Sequence, residues 1–491
     1  PSADEVRGTA RDFLAAWAAG RAAEAAALTD DRPAALTALT GYRRDAHVGA
    51  VTLTPAAPRG ASVPFTARAE IAYGQRRAPW TYASSLTVVR DPATGRPVVD
   101  WRPSVLHPGL GTGDRLRTDA SGAAPLKVLD RAGGELRAAD HPTLTGILAA
   151  LSERYGTKAG GTPGVELRID RPKGAKKPDT TLKVLSKGTP GTLRTTLDPA
   201  VQRAAERAVA GRARAAVVAV RPSTGEVLAV ANAPAQGFNL AFQGSLAPGS
   251  TMKVVTSAAL IERGLAGYGK AHPCPKYFTY GGWKFQNDDE FEIRGGRFEQ
   301  SFARSCNTAF ISQAPKLSDD ALTREARDVF GLGLSWQTGV PTFDGRVPVQ
   351  TAAQKAASLI GQGGVRMNPL NMASVAATAT TGTFRQPYLV SPEVDHRTLA
   401  RAPRTLAPAT RQQLRALMRL TATSGTAAKA MAGLGGDIGA KTGSAEVDGQ
   451  KEPNGWFTAY RGDLAAAAVV PAGGHGGDSA GPLVASVLRA G

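Results

Sequence analysis

Two cysteines and six histidines are all that this chain of 491 residues offers to a soft metal. Cys274 and Cys306 stand apart, with none of the paired Cys or His spacings that a structural zinc site needs, so neither a metal nor a cofactor is expected. The pair reads as one disulfide if the chain works outside the cytoplasm, and as two free buried thiols if it does not. Also missing is any apolar run approaching the roughly 18–20 residues that cross a bilayer. The chain starts at Pro1 with no initiator methionine and no signal-type apolar stretch. That start reads as processed or truncated, which leaves room for an N-terminal membrane anchor outside this chain. Wholesale disorder is excluded too, because 42% hydrophobic and 20% charged residues are ordinary for a globular protein.

Positive charge is what the chain has in excess. Fifty-nine Lys and Arg against 41 Asp and Glu leave a net charge of +18, which draws the protein towards polyanions: nucleic acid, anionic lipid or an anionic wall polymer. The one local cluster, Arg171-Pro172-Lys173-Gly174-Ala175-Lys176-Lys177-Pro178, is broken by Pro and Gly. It reads as a solvated linker, and nucleic acid is not the expected partner.

The length exceeds one ordinary core, and at roughly 150 residues per domain about three units are expected. Ser2 and Glu5 stand at capping-box spacing ahead of Val6, Ala10, Phe13, Leu14 and Trp17, which share one helical face, and Gly20 stops the helix. Strand-like runs follow at 47–54, 61–73, 79–90 and 97–101, the last two flanking the turn Asp91-Pro92-Ala93-Thr94-Gly95. Residues 1–105 thus read as a small α+β domain that ends at the Pro-rich segment 101–108. Residues 106–191 mix short apolar runs with Gly, Pro and Lys and show no sustained period, as a connecting, partly extended module would. From residue 192 regular structure resumes. Asp198 suits an N-cap and Pro199 the first helical position; a hairpin spans 215–231; helical patterns fall at 251–264, 319–329, 371–380 and 410–420; strands close the chain at 455–461 and 464–470. Residues 192–491 form an α/β-type domain with an antiparallel sheet, and the whole chain is multidomain α+β.

Pro248-Gly249-Ser250-Thr251-Met252-Lys253 precedes an apolar helical run, which puts a serine at a helix start and a lysine one turn later on the same face. A serine hydroxyl is a poor nucleophile until a base takes its proton, and a lysine can be that base once burial or a nearby cation lowers its pKa. The helix N-terminus adds backbone N–H groups that favour a developing oxyanion. Alone, Ser-x-x-Lys arises by chance and also describes a capping serine beside a surface lysine. Two later segments change that reading. Ser305-Cys306-Asn307 offers a hydroxyl and an amide able to relay a proton and orient a lysine. Lys441-Thr442-Gly443-Ser444 offers a cation and hydroxyls on a strand whose Gly443 allows close backbone approach. The order Ser-x-x-Lys, Ser-x-Asn, Lys-Thr-Gly is the motif set of penicillin-binding proteins and class A β-lactamases.

With these motifs the chain resembles the class B penicillin-binding proteins, the peptidoglycan DD-transpeptidases. The likeness covers roughly residues 105–491 and extends to Thr196-Leu197-Asp198-Pro199, Ile360-Gly361-Gln362-Gly363, Ser424-Gly425-Thr426-Ala427 and Gly455-Trp456-Phe457. It implies a serine β-lactamase/transpeptidase-like domain (192–491) with a five-stranded antiparallel sheet between helical regions. Ahead of it would come a short linker or pedestal (106–191) and an NTF2-like domain of the MecA type (1–105). Ser250 would be acylated by the stem peptide's D-Ala-D-Ala terminus, with Lys253 as base. Ser305 would pass the proton to the leaving amine, Asn307 would orient Lys253, and Lys441 would supply charge. Thr442, Gly443 and Ser444 would bind the terminal carboxylate and backbone, Ser444 standing where many members carry threonine. β-Lactams would acylate Ser250, with low affinity implied by the MecA-like order. The resemblance further implies an enzyme on the outer face of the bacterial cell membrane, paired with a SEDS-type glycosyltransferase.

One further serine is a decoy. Gly477-Asp478-Ser479-Ala480-Gly481 fits the G-x-S-x-G elbow, but no histidine follows Ser479 and too little chain remains to complete such a fold, so it reads as a loop before a final helix. Two rivals stay open at this level: a β-lactamase or DD-carboxypeptidase, which would let water deacylate Ser250, and a non-catalytic penicillin-binding sensor or scaffold, which would not turn over.

Overall fold

In the computed structural model, which describes residues 1–121 and 124–491, the chain forms two compact units. One comprises residues 1–126 and 155–191, the other residues 127–154 and 192–491.

The first unit opens with the helix Ala3–Ala18, whose capping box is complete: Glu5 N donates to Ser2 Oγ and Ser2 N to Glu5 Oε2. The face predicted from spacing, Val6, Ala10, Phe13, Leu14 and Trp17, is buried. It packs with the helix Arg32–Arg44 on an antiparallel sheet ordered Val48–Pro55, Ser62–Tyr73, Arg76–Arg90, Pro97–Val99. Trp17 meets Tyr42 and Phe65 edge-on at 5.4 and 5.7 Å between ring centroids, the offset arrangement that aromatic quadrupoles favour.

The division between these units falls at the sequence-based boundary after 191 but not at 105. Arg115–Ser121, Gly164–Asp170 and Thr180–Ser186 form a three-stranded antiparallel sheet. Their inward residues Leu116, Leu167 and Ile169 join the same core as Trp17, and Thr118 Oγ1 donates to Ala46 O at 2.6 Å. Residues 127–154 belong instead to the second unit, where Thr143 Oγ1 donates to Asn232 O at 3.1 Å and accepts from Asn232 N at 2.6 Å. The strands of 106–191 are short and separated by Gly- and Pro-rich loops, so their period-2 pattern emerges only once they are paired. The Lys-rich segment 171–178 is an exposed loop between two of them.

The second unit is built on a five-stranded antiparallel sheet ordered Val227–Ala233, Ala215–Val220, Ala465–Val470, Asn454–Arg461, Ile438–Ala445. Ala215–Val220 and Ala465–Val470 are buried on both faces, which explains their continuous rather than alternating apolar composition. Val217 and Ala219 pack with the helices Pro199–Val209 and Ala480–Ala490. Against the other face lies the helix Pro369–Thr381, whose Met372 carbonyl accepts from Thr458 Oγ1 at 2.8 Å. Each fully buried Val or Leu in these layers contributes roughly 1.5–3 kcal/mol of transfer free energy. The strand Ile438–Ala445 is left at the sheet edge, where one row of its backbone groups is free of a strand partner. Among the described residues no helix is long and apolar enough to cross a membrane.

Candidate active site

Ser250 lies in the tight turn Gly249–Met252, which runs straight into the buried helix Lys253–Glu262. Three glycines make its position possible. Gly249 has φ +56°, and a Cβ there would lie 2.6 Å from Ser444 O. A Cβ on Gly443 would lie 2.9 Å from Thr251 N, and one on Gly361 only 1.8 Å from Gly249 O. Three backbone segments distant in sequence therefore converge on Ser250, pinned by Gly249 N donating to Gly361 O at 3.0 Å. The Ser250 side chain is half-buried, and its hydroxyl makes no hydrogen bond to another described residue.

Lys253 is fully buried and spends its Nζ donors on Asn307 Oδ1 at 2.7 Å, Ser305 Oγ at 3.0 Å and Ser305 O at 3.0 Å. Lys441, equally buried, donates to the same Ser305 Oγ at 3.0 Å and to Thr442 O at 3.0 Å. Burial first, and the neighbouring Lys441 second, hold the Lys253 ammonium well below its usual range; Asp288, the smallest of the three influences, opposes them. Burial alone brings Lys441 down to about 7. Ser305 is the hub of the pair and sits at φ +59°, a left-handed conformation that a serine adopts only where its surroundings impose it.

The segment next to Ser305 is cross-linked. Cys306 is disulfide-bonded to Cys274 with the Cα atoms 6.3 Å apart, and the buried Asn287 stitches the same region: its Nδ2 donates to Phe291 O at 2.8 Å and its Oδ1 accepts from Thr308 N at 3.0 Å. Sequence reasoning passed over Asn287, whose only signal is an Asn-Asp-Asp turn. The cross-link spans 32 residues of sequence, and loop-closure entropy gives it about 3–4 kcal/mol of stabilisation on the chain-entropy view. Replacing Cys274 and Cys306 together by serine is therefore expected to lower the Tm of the second unit by roughly 5–10 °C in calorimetry. β-Lactam acylation should slow as well, since the Ser305 loop loses its tether.

Strand alternation sends Thr442 and Ser444 to the side opposite Lys441. Thr442 Oγ1 lies 2.6 Å from Thr426 Oγ1, and Ser444 Oγ lies 3.4 Å from the Nδ1 of His475. His475 was not singled out from the sequence, because the Gly-rich run around it drew notice only for Ser479. That serine is structural here: its hydroxyl is buried and donates to His475 O at 2.9 Å, closing the loop ahead of the helix Ala480–Ala490.

A serine at a helix start, a buried lysine of lowered pKa one turn on, a second buried lysine and a hydroxyl shared between the two are the groups that a serine acyl-transfer centre uses. Residues 215–489 match the penicillin binding protein transpeptidase domain, and the chain belongs to that family. It is 30% identical over 372 residues to the peptidoglycan D,D-transpeptidase PbpA of Mycolicibacterium smegmatis, covering 61% of this chain and 73% of that protein. Against the PbpA of Mycobacterium tuberculosis H37Rv the identity is 29% over 243 residues, covering 41% of this chain and 48% of the relative, so the chain spans about half of that protein's length. Among solved structures, a chain from a peptidoglycan synthase complex that coordinates polymerization and crosslinking superposes with a TM-score of 0.59 at 23% identity, covering 77% of this chain and 92% of the other. That likeness extends the fold match well beyond the transpeptidase domain alone.

Proposed function

We propose that this protein is a peptidoglycan D,D-transpeptidase that cross-links stem peptides through a Ser250 acyl-enzyme. The observation that carries the reading is the buried Lys253, depressed in pKa and hydrogen-bonded to Ser305 and Asn307 next to a serine whose hydroxyl is uncommitted. The edge strand Ile438–Ala445 supports it, because an extended peptide can add to a free strand edge.

Ser250 Oγ attacks the carbonyl of the D-Ala-D-Ala peptide bond while neutral Lys253 takes the hydroxyl proton. Backbone N–H groups of Ser250 and Ser444 hold the oxyanion. On collapse the C–N bond breaks, and the departing D-alanine amine receives a proton passed from Lys253 through Ser305. An acceptor amine of a second stem peptide then attacks the ester and loses a proton to the same relay, which restores the Ser250 hydroxyl and leaves a new amide. Thr442 and Ser444 bind the substrate's terminal carboxylate. A β-lactam follows the first half of this path, but its leaving nitrogen stays tethered by the ring-opened product.

The reading has further parts. The helices and four-stranded sheet of residues 1–105 form an NTF2-like domain of the MecA type, and residues 106–191 act as a pedestal. The enzyme works outside the cytoplasm, held at the membrane by an anchor and paired with a SEDS-type glycosyltransferase. The fold shared with a chain of a synthase complex and the charge of +18, suited to an anionic wall and membrane surface, support this placement.

The test is turnover of an N-acyl-D-alanyl thioester in the presence of a D-amino acid, followed by mass spectrometry of the products. Formation of the amide with the D-amino acid is the expected result. Hydrolysis only, whatever acceptor is supplied, would overturn transpeptidation in favour of a carboxypeptidase.

A further inference from the structure

The loop preceding the last helix is built down onto the carboxylate end of the site. A Cβ on Gly476 would lie 2.0 Å from Trp456 O and 2.3 Å from Gly443 O, so the loop backbone rests on the strand that carries Thr442 and Ser444. The His475 carbonyl is held three ways, by Ser479 Oγ at 2.9 Å, Ser479 N at 3.0 Å and Asp478 N at 3.1 Å. With its backbone fixed, the His475 ring projects beside Ser444 Oγ, at 3.4 Å from Nδ1, and that hydroxyl also accepts from Gly476 N at 3.4 Å. On its other side the same Nδ1 lies 3.5 Å from Asp288 Oδ2, a carboxylate on the turn that follows Asn287. Both side chains of this pair are more than half exposed, so their contact is weak and readily exchanged for another anion.

We propose that His475 is a specificity-determining residue for the terminal carboxylate of the substrate. This rests on the transpeptidase reading above and deepens it. In the free enzyme the ring nitrogen faces Asp288 and the Ser444 hydroxyl. When a substrate places its carboxylate against Thr442 and Ser444, the incoming anion takes over the place of Asp288 at the ring. His475 then donates an N–H bond to that carboxylate and orients the Ser444 hydroxyl towards it.

The experiment compares two N-acyl-D-alanyl thioesters that differ only in the leaving group, one ending in a carboxylate and the other in the matching carboxamide. In His475→Ala, KM for the carboxylate thioester should rise about tenfold while kcat changes less than about threefold, and both constants for the carboxamide should stay at the wild-type values. His475→Asn, whose Nδ2 can stand where Nδ1 stood, should recover most of the loss. Should the alanine protein fail to fold, His475→Phe keeps the ring volume without its nitrogens and should show the same split. Equal losses on both substrates, or none on the carboxylate one, would overturn the assignment while leaving the transpeptidase reading intact. A wild-type enzyme that turns over neither thioester would remove both readings together.

Discussion

Replacing Ser250 by alanine should abolish the covalent penicillin adduct and reduce thioester turnover by about 10⁴-fold or more, without loosening the fold. The chemical half of this expectation is direct, since Ser250 sits where the Gly249 turn, the Lys441 strand and the Gly361 loop converge, while the neighbouring hydroxyls of Thr251 and Ser305 are engaged in hydrogen bonds, and residual rates after loss of a nucleophile fall by such factors. The structural half follows from what the Ser250 hydroxyl does not do. It makes no hydrogen bond to another described residue, so its loss should leave Tm within about 1 °C of the wild type, as for other changes that break no named interaction. Intact-mass spectrometry after incubation with a penicillin reads the first part, showing one added drug mass in the wild type and none in the variant; thermal melts read the second. An adduct that persists in Ser250→Ala would move the nucleophile elsewhere and remove the assignment of the site.

Lys441→Met should move the acid limb of the acylation profile to higher pH. On the proposed mechanism acylation needs Lys253 neutral, so the rate rises with pH as Lys253 gives up its proton. Burial is the main cause of its depressed pKa, and the charge of Lys441 is the second. Removing that like charge lets Lys253 keep its proton to higher pH, so the half-maximal point of kcat/KM shifts alkaline, by about one unit given the usual size of such couplings. The plateau should also drop by roughly 10²-fold, because Ser305 Oγ loses the donor 3.0 Å away that favours charge build-up during proton relay. Because the two lysines share Ser305, the wild-type limb reports the pair rather than either residue alone. A limb that stays in place, or moves to lower pH, would show that Lys441 does not depress Lys253.

Much of the second unit was legible in the sequence because its signals are local. The Asp198 cap, whose Oδ1 accepts from Ala200 N and Val201 N, sits at the predicted helix start, and the predicted strands at 455–461 and 464–470 appear as Asn454–Arg461 and Ala465–Val470. The helical pattern from 251 splits into the turn Gly249–Met252 and the helix Lys253–Glu262, since a backbone that must pass so close to Ser444 cannot start as a regular α-helix. The hairpin Tyr277–Tyr280 with Trp283–Gln286 escaped notice; four-residue strands carry too few alternations to stand out.

By itself the sequence determined which groups this protein brings to chemistry, since motif spacing and helix periodicity are properties of neighbouring residues: a serine one turn ahead of a lysine, a Ser-x-Asn, a Lys-Thr-Gly on a strand. Only the tertiary structure decided what those groups become. Burial lowers the pKa of Lys253 and brings Lys441 to about 7, Ser305 takes a left-handed conformation next to the Cys274–Cys306 bond, and the Gly476 loop sets His475 beside Ser444. It also decided that residues 106–121 and 155–191 share the core of the first unit while 127–154 serve the second. Desolvation and the convergence of segments more than a hundred residues apart depend on the packing of the whole chain, and no window of sequence contains that information.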